Sequence, residues 1–264
     1  MKIGFIGCGN MGGALATAVS GIEGVELFVS DYDKKKASRF AEEHGALAVA
    51  NEEIAEKCDY VFLAVKPNVL SSVLSPLSHI LEKNSGSVIV SMAAGVSLEK
   101  IEGSLASPHA VIRIMPNTPA AIGEAMITYC VNALVSKTAE EGFLTALSGA
   151  GRLDRIDEKL IDAASALAGC GPAFVYMFAE ALADGAVQCG LPRDKALVYA
   201  AETIRGAASM ILKTGKHPGL LKDEVCSPGG STIEGVAALE EGAFRATAIN
   251  AVTRAFDKTK ALGK

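Results

Sequence analysis

Tryptophan is absent from the 264 residues, and aromatic side chains make up only 5% of them. Bulk in the core must therefore come from aliphatic residues, and with half the chain hydrophobic and 21% charged there is enough to build one. The 27 glycines and an alanine-rich C-terminal half point to closely packed helices. A surplus of positive charge is also missing. The net charge of −5 excludes general nucleic-acid binding, because neutralising phosphates needs a basic face. The six cysteines (Cys8, Cys58, Cys130, Cys170, Cys189 and Cys226) are scattered, with no CxxC pair and no Cys/His cluster at metal-ligand spacing. No metal is expected, and the cysteines read as free thiols in a reducing cytoplasm.

Apolar residues and glycines begin at once, without the basic leader of a secretory signal peptide. One uncharged run, Ala163–Ala179, is shorter than the roughly 20 residues a membrane span needs. It contains Gly169, Gly171 and Pro172, so it reads as a buried interface helix and no membrane partner is expected. There is no internal repeat and no low-complexity linker. None of the four histidines (His44, His79, His109, His217) stands in an acid–base constellation.

What is present divides the chain in two. Through residue 155, short apolar runs alternate with amphipathic stretches, the pattern of β-α-β units around a parallel sheet. Strands are expected at Lys2–Ile6, Val25–Val29, Tyr60–Val65, Ser87–Ser91 and Ala110–Met115, with edge strands at Met126–Val131 and Arg152–Ile156. Helices follow at Asn10–Ser20 and from Asp33 to His44, the second stopped by Gly45. Beyond Asp157 the strand pattern disappears, and alanine-rich helical stretches break only near Gly190–Pro192 and Lys216–Pro218. The fold class is thus α/β, a doubly wound Rossmann-type sheet in residues 1–155 followed by an all-helical domain in 156–264. So small a helical domain cannot hide all its apolar faces, which implies self-association.

Gly7-Cys8-Gly9-Asn10-Met11-Gly12 matches GxGxxG directly after the strand ending at Ile6 and directly before a helix. Gly7 permits the tight turn, Gly9 lets backbone approach a pyrophosphate, and Gly12 lets the helix pack on the strand. The helix start offers unpaired N–H groups and a partial positive charge to phosphates. Asp31 stands about 20 positions beyond Gly12, where a carboxylate can accept both ribose hydroxyls and favours NADH. Ser30 and the run Lys34-Lys35-Lys36 could instead take the 2′-phosphate of NADPH, so NADPH and NADH both stay open. Strand ends in such a sheet form the ligand crevice, which places Ala64-Val65-Lys66-Pro67 and Ala93-Ala94-Gly95 beside the nicotinamide half. Ser227-Pro228-Gly229-Gly230-Ser231-Thr232 precedes a helix from Ile233 to Glu241. Free N–H groups at Gly230, Ser231 and Thr232 would cradle a small carboxylate. A plain helix cap by Ser231 or Thr232 is the alternative.

Three of these segments and one more carry a resemblance. Met1–Met11, Ala64–Pro67, Met115-Pro116-Asn117-Thr118-Pro119 and Asp223–Gly235 together resemble the pyrroline-5-carboxylate reductase family, in order and over almost the whole chain. The Ser-Pro-Gly-Gly-x-Thr element is the most specific of them. The resemblance implies reduction of 1-pyrroline-5-carboxylate to L-proline by NADPH or NADH, the last step of proline biosynthesis, in a cytoplasmic dimer or ring of dimers. It places Ile6 and Gly7–Gly12 on the pyrophosphate, Asn51 along the adenosine ribose, and Lys66 and Pro67 near the nicotinamide ribose. Ser227, Gly229, Gly230, Ser231 and Thr232 would hold the substrate, and Thr232 matches the family hydroxyl that hydrogen-bonds the imine nitrogen. The 3-hydroxyacid dehydrogenases share an opening like Gly4–Gly12, but they use a lysine and an asparagine on the first long helix of the second domain. Ala168–Tyr176 has neither. A non-catalytic dinucleotide sensor would have no reason to keep a carboxylate cradle.

Overall fold

A computed structural model describes residues 1–262. The described residues form two compact units: Met1–Cys170 with the end of the chain from Arg254, and Gly171–Thr253. The texture change near residue 155 and the packing division after Cys170 therefore differ. In the first unit, β1 (Lys2–Ile6) leads into α1 (Asn10–Ser20), and β2 (Glu26–Ser30) into α2 (Lys34–His44). The short β3 (Leu47–Ala48) precedes α3 (Asn51–Lys57), and β4 (Tyr60–Leu63) precedes the long α4 (Pro67–Lys83). Next come β5 (Val88–Ser91), α5 (Leu98–Glu102), β6 (Ala110–Met115), β7 (Ala125–Val131), α6 (Lys137–Ala146), β8 (Gly151–Arg155) and α7 (Glu158–Ala164).

The eight strands lie in the order β3-β2-β1-β4-β5-β6-β7-β8, all parallel except the β6–β7 pair. One expectation needs correcting: β7 is interior, because β8 pairs along its outer side, so of the two expected edge strands only β8 is one, and β3 is the opposite edge of the sheet. Alternate strand residues face opposite ways, so each side of the sheet has its own core. Phe5, Val29, Phe62, Val90 and Ile112 pack with Leu15 and Val19 of α1 and Phe143 of α6. Ile6, Phe28, Val61, Leu63 and Ile89 pack on the other side with Leu70, Leu74, Leu77 and Leu81 of α4 and Ile161 of α7. Helix ends follow local chemistry. The Asp33 side chain accepts the N–H groups of Lys35 and Lys36 at 3.0 and 3.3 Å, and Gly45 closes α2 in the left-handed conformation (φ 65°).

The second unit is helical throughout: α8 (Gly171–Gln188), α9 (Arg193–Thr214), α10 (Pro218–Val225), α11 (Ser231–Glu241) and α12, which starts here and runs Phe244–Leu262. Its small core joins Ala183 of α8 to Ala196 and Ala200 of α9, the close approach that alanine allows. Many apolar side chains stay exposed, among them Tyr176, Met177 and Leu212. By length and composition alone, the helical stretch Glu158–Gln188 is long and apolar enough to cross a membrane, with a mean hydropathy of 1.4.

Candidate functional site

The sheet order reverses between β1 and β4, and crevices at the carboxyl ends of strands at such a reversal are where doubly wound folds bind ligands. Gly7 leaves β1 at φ 107°, a conformation open to glycine, and a side chain there would collide with the Ala64 carbonyl at the end of β4. A side chain at Gly12 would strike the Gly7 carbonyl and the Ala64 methyl, so this glycine seats α1 against the strands. A Cβ on Gly9, in contrast, would meet nothing within 4 Å. The loop thus has an open face, as close approach by a pyrophosphate requires. Helix α1 starts there with no side-chain cap and no acidic residue in its first turn. Its first N–H groups are left for an anion. These residues fit a dinucleotide.

The loop is tied from behind by the end of β2. The Gly7 N–H donates to the Ser30 carbonyl at 2.8 Å, and the Cys8 N–H to Oδ2 of Asp31 at 2.7 Å. The other Asp31 oxygen accepts the Asp33 N–H at 3.0 Å. The buried Cys8 thiol is pushed up to about 11, first by burial and then by the Asp31 carboxylate. It is held protonated at neutral pH, so Cys8 serves the loop through its backbone. Buried Ser30 donates its hydroxyl to Oδ1 of Asn51 at 2.5 Å. Ser30, Asp31 and Asn51 line one cleft of about 600 Å³ together with Tyr32, Lys34 and Ser38. Tyr32 (fully exposed) and Ser38 are not candidates by motif. The signal for Tyr32 is an exposed aromatic directly after the acidic residue.

The remaining sheet candidates lie at neighbouring strand ends. The Ala64 N–H donates to the Ile6 carbonyl at 2.9 Å, and Lys66 caps α4 with Pro67 in its first turn. Ala93 is buried, and Gly95 turns at φ 75° just after β5. The carboxyl ends of β1, β2, β4 and β5 therefore carry Ile6, Gly7–Gly12, Ser30, Asp31, Ala64–Pro67 and Ala93–Gly95, and Asn51 joins them from the start of α3 after β3.

In the second unit, Ser227–Gly230 form a turn in which Gly229 has φ 65°. Here two expectations change. The Gly230 N–H is not free, since it donates to the Ser227 carbonyl at 3.1 Å. The cap of α11 is Gly230 itself, with no side-chain capping bond, so neither Ser231 nor Thr232 caps the helix. Ser231 and Thr232 occupy its first turn with exposed side chains, and their N–H groups belong to the set that a helix start leaves unpaired within the helix.

Sheet, glycine loop and strand-end crevice together define a Rossmann-type nicotinamide-dependent oxidoreductase. Residues 158–262 match the family model described as pyrroline-5-carboxylate reductase dimerisation, and residues 2–95 match the model described as NADP oxidoreductase coenzyme F420-dependent. Pyrroline-5-carboxylate reductases of Escherichia coli and Arabidopsis thaliana are 41% and 40% identical over 100% of this chain and 98% and 96% of theirs. A crystal structure of Plasmodium falciparum pyrroline carboxylate reductase with NADP bound matches at TM-score 0.91 and 35% identity. It covers 100% of this chain and 98% of that one. The chain belongs to the pyrroline-5-carboxylate reductase family, and its helical part is the family's dimerisation domain.

Proposed function

We propose that the chain reduces the C=N bond of 1-pyrroline-5-carboxylate to give L-proline, using NADPH or NADH, as the last step of proline biosynthesis. The observation that carries this reading is a glycine loop with an open face at Gly9, in a chain that also carries the Ser227–Thr232 turn. The cofactor, when bound, supplies a hydride from C4 of its nicotinamide to the imine carbon. The chain's own work is binding and orientation. Gly7–Gly12 and the start of α1 take the pyrophosphate, and the cleft of Ser30, Asp31, Tyr32, Lys34, Ser38 and Asn51 takes the adenosine end. Ala64–Pro67 and Ala93–Gly95 take the nicotinamide half, where small side chains suit a flat ring.

For the substrate, Ser227, Gly229, Gly230, Ser231 and Thr232 are assigned to the carboxylate end, with the Ser231 and Thr232 N–H groups as donors. The Thr232 hydroxyl accepts a hydrogen bond from the protonated imine nitrogen, whose charge makes the ring carbon more electrophilic. The enzyme is read as cytoplasmic, without nucleic-acid or membrane partners, and the exposed apolar faces of α8 and α9 as covered by a second copy in a dimer or ring of dimers. Free cysteines and the net charge of −5 support the first part, and the dimerisation-model match supports the second. The test is loss of absorbance at 340 nm. NADH or NADPH should be oxidised only when the imine acid is present, and turnover of 3-hydroxyisobutyrate with NAD instead would overturn the assignment.

A further inference from the structure

We infer that Asp31 is a positioning residue for the phosphate loop, holding the Cys8 N–H so that Gly7–Gly12 keeps its open face, and that it does not choose between NADH and NADPH. The inference rests on the reading of that loop as the dinucleotide site. A carboxylate at this position is ordinarily credited with reading the ribose. Here each of its oxygens already holds a backbone N–H, Cys8 at 2.7 Å and Asp33 at 3.0 Å. Hydrogen bonds to a charged acceptor are shorter and roughly twice as strong as neutral ones.

The loop needs such a hold. Gly7 is in a conformation with φ 107°, and the space around a Cβ at Gly9 is empty to 4 Å, so nothing packs against the outer side of the turn. On the inner side, two successive N–H groups are tied to the last residue of β2 and the one after it: Gly7 to the Ser30 carbonyl, and Cys8 to the Asp31 carboxylate. The first tie is backbone and survives substitution, whereas the second depends on the side chain at 31. Repulsion of the pyrophosphate applies to both cofactors alike, and the two N–H groups that Asp31 accepts offset part of the charge it would present to a 2′-phosphate. Contact with a 2′-phosphate is left to the other residues of the cleft, of which Lys34 brings positive charge.

The test uses the full-length protein with Asp31→Ala and Asp31→Asn, titrating NAD⁺ and NADP⁺ by calorimetry, with kcat/KM for each reduced cofactor measured alongside. Alanine should weaken both cofactors by about tenfold, the loss expected for one charge-assisted hydrogen bond, while their ratio moves less than about threefold. Asparagine keeps an acceptor for one of the two N–H groups and should fall between alanine and wild type. The inference is overturned if the ratio swings toward NADP⁺ by about fivefold or more, or if both variants bind both cofactors like wild type with only a lower Tm. If the wild type bound dinucleotide but did not reduce the imine, the proposed activity would fail. The affinities would still decide the role of Asp31.

Discussion

Asn117 donates its side-chain amide to the carbonyl of Ala168 at 3.0 Å, joining the turn after β6 to a π-helical turn at Ser165–Gly169. The wider turn is closed by the Cys170 N–H on the Ser165 carbonyl at 3.2 Å, five residues back, and the Ala168 carbonyl is open to Asn117 because Pro172, four residues on, has no N–H to donate to it. The same side chain accepts the Met126 N–H at 3.0 Å. Asn117→Ala strands two backbone groups around a buried site and should cost about 2–3 kcal/mol, read by urea unfolding at fixed protein concentration. Asn117→Asp keeps the acceptor but sets a carboxylate against a carbonyl, so it should be no more stable than alanine. A loss under about 0.5 kcal/mol in both variants would show that the link is dispensable.

Local chemistry is what the sequence makes legible. The tasks of Gly7 and Gly12, the stop at Gly45 and the strand Ala110–Met115 each follow from a residue and its neighbours, and the structure has them where the pattern predicts. Position in the sheet is another matter. Apolar alternation marks β7 as a strand, but it cannot say that the more exposed β8 lies outside it. The strand pattern ends before Asp157, yet α7 still belongs to the first unit. Ile161 joins the core beneath the sheet, and Glu158 and Asp162 pair with Arg113, a contact 45 and 49 residues away. In the candidate site, GxGxxG and Ser-Pro-Gly-Gly-Ser-Thr are readable as motifs. The direction in which the Asp31 side chain turns is a rotamer choice made only once β1 and β2 are paired.

Arg113 is 3% exposed and reaches Glu158 at 3.3 Å and Asp162 at 2.5 Å. Removing one partner of a buried pair costs about 3–5 kcal/mol, but these carboxylates are 35% and 24% exposed and can recover some water. Arg113→Met should therefore cost nearer about 2–3 kcal/mol. Adding Asp162→Leu removes a stranded charge, so the double variant should lose less than the sum of the two singles. Additive losses in the double-mutant cycle would show that the two side chains are not coupled.

His109 is buried with Nε2 2.9 Å from the Ser87 hydroxyl, and desolvation holds it below the ordinary histidine value of about 6.5. As pH falls through that value, the unfolded chain takes a proton that the native imidazole refuses. Stability is therefore lost toward acid and is complete above about pH 7. The slope from this group cannot exceed about 1.4 kcal/mol per pH unit. Comparing unfolding free energies at pH 7.5 and 5.5, His109→Gln should lose less on the acid side than wild type. Equal losses would assign the acid sensitivity to other groups.

Thr232 gives the sharpest test, because the structure separates its two possible roles. A capping threonine would bond the backbone of its own helix, and its loss would cost about 1 kcal/mol of stability. Here α11 is capped by Gly230 without any side-chain bond, and Thr232 lies inside the first turn with its side chain exposed. Thr232→Ala should accordingly leave Tm and cofactor affinity close to wild type. If the hydroxyl accepts a hydrogen bond from the protonated imine nitrogen, the same change removes one hydrogen bond to a charged group. That bond is worth roughly 1.5–3 kcal/mol, so kcat/KM for the imine should fall by about one to two orders of magnitude. Thr232→Ser keeps the oxygen and loses only the methyl that restricts its rotamer, so it should retain much of the activity. The pair of variants is decisive when Tm and kcat/KM are measured on both. Alanine that melts earlier yet turns over like wild type would make Thr232 a structural residue and send the search for the nitrogen's partner elsewhere.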